Sequence, residues 1–235
     1  MATLKDIMEH FMDIKLVNSL VLSPGGLLNK ENNSLVFFKQ GSLDGACGLY
    51  SVAMLAVTTG LADRGAMEDL FSMDKRTIFG KWFKDKANSD GVFKGTNAKQ
   101  LIKLIEAIRR QVNAKPIKCS TKSSSNDMVT GKSILNDVRL HCDNGLPSII
   151  RLDWERGESH WVVAIGYQTF TENDDIEKKW EAILTLDPSA NHGLTNAWNG
   201  VLSRAKGKPG KRPYGYWTHS DEINYCSITE CILIG

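Results

Sequence analysis

The chain has 235 residues, 42% hydrophobic and 24% charged, which is the composition of a globular protein and excludes disordered, collagen-like and fibrous chains. A formal net charge of +2 gives no overall attraction to nucleic acid or to acidic membranes, and neither is expected as a partner. Five cysteines, scattered at Cys47, Cys119, Cys142, Cys226 and Cys231, are too sparse for a secreted disulfide scaffold and point to reduced thiols in a cytosol-like compartment.

Leu4, Ile7, Met8 and Phe11 fall at helical spacing behind Thr3, and Ser23-Pro24-Gly25-Gly26 ends that predicted element. Lys5, Asp6, Glu9, Asp13 and Lys15 interrupt any signal-peptide core, so a cytoplasmic location is expected. Leu35-Val36-Phe37-Phe38 is a short strand-like run. The charge-free stretch from Gly45 to Ala62 carries too many glycines and hydroxyls for a membrane span and reads as a loop feeding a buried helix, Cys47 to Thr59, stopped at Gly60. Leu101, Leu104, Ile105, Ile108 and Val112 make an amphipathic helix that ends before Pro116. A further helix is predicted from Lys132 to Cys142, closed by Asp143-Asn144-Gly145.

The second half changes character. Ser148 to Trp154, Trp161 to Tyr167, Trp180 to Leu186, Tyr214 to Trp217 and Ser227 to Ile234 read as strands, with a turn at Arg156-Gly157-Glu158 and an acidic loop at Asp174 and Asp175. Helices first and strands afterwards predict an α+β fold: a single domain over 1–235, with a helical lobe over about 1–145 and a β lobe over about 146–235 forming an antiparallel sheet.

Three short stretches carry chemistry. Gln40-Gly41-Ser42-Leu43-Asp44-Gly45-Ala46-Cys47-Gly48 delivers a cysteine to the first turn of an apolar helix, whose unpaired amides and positive end favour a thiolate. Gln40 can offer a side-chain amide to an oxyanion, and the small neighbours Ala46 and Gly48 leave room for a carbonyl. Ser159-His160-Trp161 sets a histidine at the head of an apolar strand, rigidly held and free to face a cleft. Leu186-Asp187-Pro188 closes the next strand with an aspartate able to fix the histidine's tautomer. Singly, these read as a buried helical cysteine, a surface histidine and an ordinary strand-ending turn. Together, in the order Gln, Cys, His, Asp, they describe a nucleophilic thiol site.

That order resembles the papain-like cysteine peptidases, most closely the C39-like branch known for double-glycine leader peptidases. The matching pieces are Gln40 with Asp44-Gly45-Ala46-Cys47-Gly48, His160 through Gly166-Tyr167, and Leu186-Asp187-Pro188. The resemblance implies a two-lobed papain-like fold with a helical N-terminal half. It implies Cys47 as nucleophile, His160 as general base, Asp187 as orienting acid and Gln40 as oxyanion donor, with no cofactor. A peptide or protein substrate cleaved at a peptide or isopeptide bond through a thioester follows from it. A glutamine deamidase, transglutaminase or acyltransferase would use the same site, as bacterial effectors delivered into other cells do. A catalytically silent peptide-binding module is the third reading.

Other signals are weaker. Gly131-Lys132-Ser133 fails as a phosphate loop because Asn126 stands where its first glycine belongs, and the cysteines and histidines show no metal-ligand spacing. The basic stretch from Arg204 to Arg212 reads first as a solvated loop, then as a docking loop for an acidic partner, and last as one for RNA. Gly25-Gly26 is better explained as a turn than as a self-processing leader.

Overall fold

The computed structural model describes residues 10–40, 45–71, 95–123, 128–154, 157–172, 179–203, 212–218 and 223–235. In chain order the elements are β1 (His10–Leu16), β2 (Leu20–Ser23), β3 (Gly26–Asn29), α1 (Cys47–Thr58), α2 (Arg64–Phe71), α3 (Ala98–Gln111), β4 (Cys119–Ser123), α4 (Met128–Asp143), β5 (Ser148–Trp154), β6 (Ser159–Glu172), β7 (Lys179–Leu186), β8 (Gly200–Ser203), β9 (Tyr214–Trp217) and β10 (Asn224–Ile234).

Six strands close on themselves. Going round, β6, β5, β10, β9, β8 and β7 are each hydrogen-bonded to the next, and β7 returns to β6, all antiparallel. Two strands extend the ring: β1 pairs with β6 from Gly166 onward, where β5 has left it, and β4 pairs with β10 from Glu230 onward, past β9. Closure removes the exposed edges that an open sheet of these short strands would present.

The alternation of side chains sorts the core into two. Ile150 and Leu152, Val162 and Ala164, Ile183, Leu202, Tyr214 and Tyr216, Cys226, Ile228, Cys231 and Leu233 form one cluster, to which every strand of the ring contributes. This is the barrel interior. Ile134, Leu135 and Val138 of α4 belong to the same cluster, and α4 leads directly into the start of β5, so the helix covers the end of the barrel where β5 begins. The intervening residues, among them Ile149, Trp161, Val163 and Ile232, face outward and bury α1 and α3 through Leu49, Val52, Leu101, Leu104 and Ile105. Being covered on both faces, β5 and β6 read as continuous apolar runs instead of alternating ones.

The predicted papain-like, two-lobed fold with a helical N-terminal half is corrected by this arrangement: a closed barrel dominates, with four helices among the described residues. The first element described is a strand. Leu4, Ile7 and Met8 lie outside the described residues, while His10–Leu16 pairs along β6, where a glycine at position 166 lets the backbone of Lys15 come close: a Cβ there would sit 2.3 Å from the Lys15 carbonyl oxygen. Backbone hydrogen bonds to a long neighbouring strand outweigh the weak helical spacing of the segment. Leu35-Val36-Phe37-Phe38 makes one isolated bridge, Leu35 to Leu28, and no strand. Pro24-Gly25 is the turn of the β2–β3 hairpin, with Gly26 at φ +117°, a value that favours glycine. Helix α3 begins with a reciprocal cap, Asn97 accepting from the Gln100 amide and the Gln100 side chain accepting from the Asn97 amide. Among the described residues, no helix is long and apolar enough to cross a membrane.

Candidate active site

Cys47 is the first residue of α1, and the helix is docked on β6 by the backbone of Trp161. The Ser51 hydroxyl donates to the Trp161 carbonyl at 3.0 Å, and the Trp161 amide is hydrogen-bonded to the Cys47 sulfur, one helical turn earlier. These two groups of Trp161 are open to the helix because β7 pairs with β6 only from Val163 onward. Packing is close on the helix's other flank as well. A Cβ on Gly48 would lie 2.2 Å from Thr96 Oγ1 and 3.2 Å from the Trp161 ring, whose Nε1 donates to the Thr96 carbonyl at 2.9 Å. Glycine at 48 therefore permits the approach that sets the thiol next to the start of β6.

His160 shares the inward-facing parity of Val162 and Ala164 but sits at the end of β6, at the mouth of the barrel opposite α4. Its Nε2 donates to Asp187 Oδ1 at 2.7 Å. That leaves Nδ1 as the ring nitrogen for the hydrogen bond His160 makes with Cys47. The structure thus brings Cys47, His160 and Asp187 together from α1, β6 and the end of β7.

Asp187 is 2% exposed and fully engaged. Oδ1 accepts from His160, from the Ser189 amide at 2.8 Å and from the Ser189 hydroxyl at 2.6 Å; Oδ2 accepts from the Tyr216 hydroxyl at 2.9 Å. Its backbone is held from both sides by Asn199, whose Oδ1 accepts from the Asp187 amide at 2.6 Å and whose Nδ2 donates to the Asp187 carbonyl at 2.8 Å. Gly200 makes the Tyr216 contact feasible, since a Cβ there would stand 2.2 Å from the tyrosine oxygen and 2.5 Å from Thr185 Oγ1.

The electrostatics follow from this burial. Burial alone pushes the Cys47 thiol up, but the hydrogen bond and positive charge of His160, with the amides of Trp161 and Gly48, outweigh it and the net shift is downward. Burial pulls His160 down; Asp187, by charge and hydrogen bond, and Cys47 raise it to about 10. Burial raises the Asp187 carboxyl, and the charge and hydrogen bond of His160, with the bonds from Ser189, bring it to about 2. The other cysteines go the opposite way. Burial raises Cys119 to about 11 and Cys142 and Cys231 to about 12, and pushes Cys226 higher still. All five are free thiols.

Gln40 is tied to the same corner by its backbone, its amide donating to the Pro188 carbonyl at 2.9 Å. Its side-chain oxygen is buried without a hydrogen-bond partner among the described residues. The loop residues Gly41 to Asp44 between Gln40 and the thiol lie outside the described residues, as do Asp174 and Asp175 and the basic stretch 204–211. Arg212, at the end of that stretch, donates to the Trp154 carbonyl at 2.8 Å. His141 faces the Ile234 carbonyl at 3.2 Å, away from the site.

A cleft of about 600 Å³ opens on the barrel mouth, lined by His160, Asp187 and Ser189 together with Trp154, Glu158, Tyr216, Thr218, Ile223, Asn224 and Tyr225. Tyr216, Asn199, Ser189 and Gly200 were not singled out from the sequence. Tyr216 reads there as one aromatic in a short strand; its link to Asp187, and that of Asn199, comes from the pairing of β8 and β9 alongside β7. No known family model matches the chain, and no curated protein matches it.

Proposed function

We propose that the protein is a thiol hydrolase that opens a peptide or isopeptide bond through a thioester on Cys47. One observation carries this: of five free thiols, Cys47 alone is drawn down in pKa, and it is drawn down by a histidine that a buried aspartate orients. The four residue types also match, in order, the papain-like cysteine peptidase pattern, and it is this pattern and not the fold that supports the assignment.

In this mechanism the Cys47 thiolate, paired with the His160 imidazolium, attacks the substrate carbonyl. The oxyanion is held by the Cys47 amide and by the Gln40 side-chain amide, which the Gln40 backbone anchors beside the Asp187 loop. His160 gives its proton to the leaving amine. Water, deprotonated by His160, then resolves the thioester. Asp187 keeps the imidazole in one tautomer and stabilises its charged form throughout. A transferase or deamidase would differ only in which amine leaves or enters. Free thiols suit a reducing cytoplasm, including that of a cell into which an effector is delivered.

The test is mass spectrometry of the protein after incubation with peptide esters and with lysate. An acyl adduct on Cys47 that is absent in Cys47→Ala is the expected result. A folded protein with no adduct and an unreactive Cys47 favours the silent peptide-binding module instead.

A further inference from the structure

The cleft at the barrel mouth is built against one side of the site only. His160 and Asp187 form part of its wall, and the Cys47 sulfur does not. In a thioester mechanism the acyl group stays on sulfur while the amine departs, or a new amine arrives, within reach of His160. We propose that the barrel mouth is the amine-side subsite of Cys47, and that it takes a residue with a long apolar stem and a cationic end, arginine or lysine. This rests on the thioester reading above.

The lining matches that shape and charge. Trp154, Ile223 and Tyr225 supply apolar and aromatic surface at the rim; Ile223 is 50% exposed and Tyr225 39%. Glu158 stands at the edge, exposed, with no ion-pair partner among the described residues. The remaining carboxylate of the cleft, Asp187, is already taken by His160, Ser189 and Tyr216. The described lining holds no lysine or arginine, and Arg212 is turned to the Trp154 carbonyl, not to the cleft. A stem of methylenes lies well on indole and phenol rings, a cation is attracted to their faces, and a carboxylate at the end completes the match. The volume, about 600 Å³, is in the range of a ligand cleft and accommodates a single long residue.

The reaction that reads this out is aminolysis. A small activated ester, p-nitrophenyl acetate, transfers its acetyl group to the Cys47 thiolate with release of nitrophenolate, and the His160 imidazolium, its anionic partner gone, gives its proton to solvent. The nitrogen of an added amino-acid amide then attacks the thioester carbonyl, the carbon–sulfur bond breaks, the amine's proton passes to His160, and the thiolate is regenerated. Argininamide and norleucinamide are compared as the attacking amines, with N-acetyl product and acetate measured by chromatography. Saturable aminolysis is expected, with argininamide preferred about tenfold, an effect of the size of an exposed ion pair combined with a cation–π contact. In Glu158→Gln that preference should fall to about threefold or less. Acetylation that proceeds normally, followed by aminolysis that is linear in amine and equal for the two amides, overturns the subsite and leaves the thiol mechanism standing. Failure of Cys47 to acetylate at all overturns the thiol mechanism, and the subsite with it.

Discussion

Cys47 and Cys231 are both buried, at 4% and 0% exposure, yet their thiols move in opposite directions. Cys231 points into the apolar barrel interior among Ile150, Val162 and Leu233, where burial raises it to about 12. Cys47 meets the same penalty at the start of α1 and is nevertheless drawn down, because the chain places an oriented histidine and two amides against it. Depth therefore does not determine whether a thiol here is inert. The pairing at the barrel mouth does, and the same ring of strands provides both environments: an apolar interior beneath α4 and a hydrogen-bonded corner at the opposite end.

Removing the histidine should erase the difference. In His160→Ala, Cys47 keeps its burial and loses the charge that offsets it, so its pKa should rise into the range of the other four. Acylation at neutral pH should fall by about 10³-fold or more, measured by adduct formation on Cys47 with a folded circular dichroism spectrum.

Asp187→Asn should weaken the contrast without abolishing it. The imidazole loses its negative partner, and a loss of roughly 10 to 10³ in kcat is expected, equivalent to about 1.4 to 4 kcal/mol. The same variant should change the response to pH. A carboxyl held at about 2 in the folded chain, against its ordinary 3.8, contributes stability that is present above pH 4 and lost as the pH falls towards 2. His160, raised from 6.5 to about 10, contributes stability that is present below 6.5 and lost as the pH rises towards 10. Chemical denaturation across this span should show a shallower acid limb in Asp187→Asn than in the parent.

Tyr216→Phe sharpens the comparison on a smaller scale. It removes one of the bonds to Asp187, at 2.9 Å, while leaving the ring in the barrel. A loss of about 3- to 10-fold in kcat is expected, in line with about 1 kcal/mol for a hydrogen bond. Activity equal to the parent would show that Ser189 and Asn199 hold the aspartate unaided. Cys231→Ala should have the smallest effect: some stability lost to a cavity in the barrel, and acylation of Cys47 unchanged.

The three residues that meet at the barrel mouth were more legible than the fold. Cys47, His160 and Asp187 each lie beside a strong local boundary, a helix start or the end of an apolar strand, and such boundaries show in a single sequence. The ring does not show in the same way. Strands β5 to β10 follow one another round it, two of them, β8 and β9, only four residues each, and it closes through the pairing of β10 with β5, partners 72 to 85 residues apart in sequence. Asn199 reaches Asp187 from the connection that brings β8 alongside β7, and Tyr216 from β9, one strand further on, so both depend on strand pairings that the residues around Asp187 do not announce. The first strand was hidden for a related reason: its spacing fits a helix, and its partners on β6 lie 150 to 162 residues away.

The account depends most on Cys47 being held as a thiolate by His160, and the pH dependence of its alkylation measures that directly. With iodoacetamide and peptide mapping across pH 4 to 10, Cys47 should react first, with a plateau reached well below the range of an ordinary thiol. In His160→Ala that plateau should be lost and the profile should move towards those of Cys119 and Cys142. A Cys47 profile that rises together with the other four cysteines, in a folded parent protein, would contradict the account.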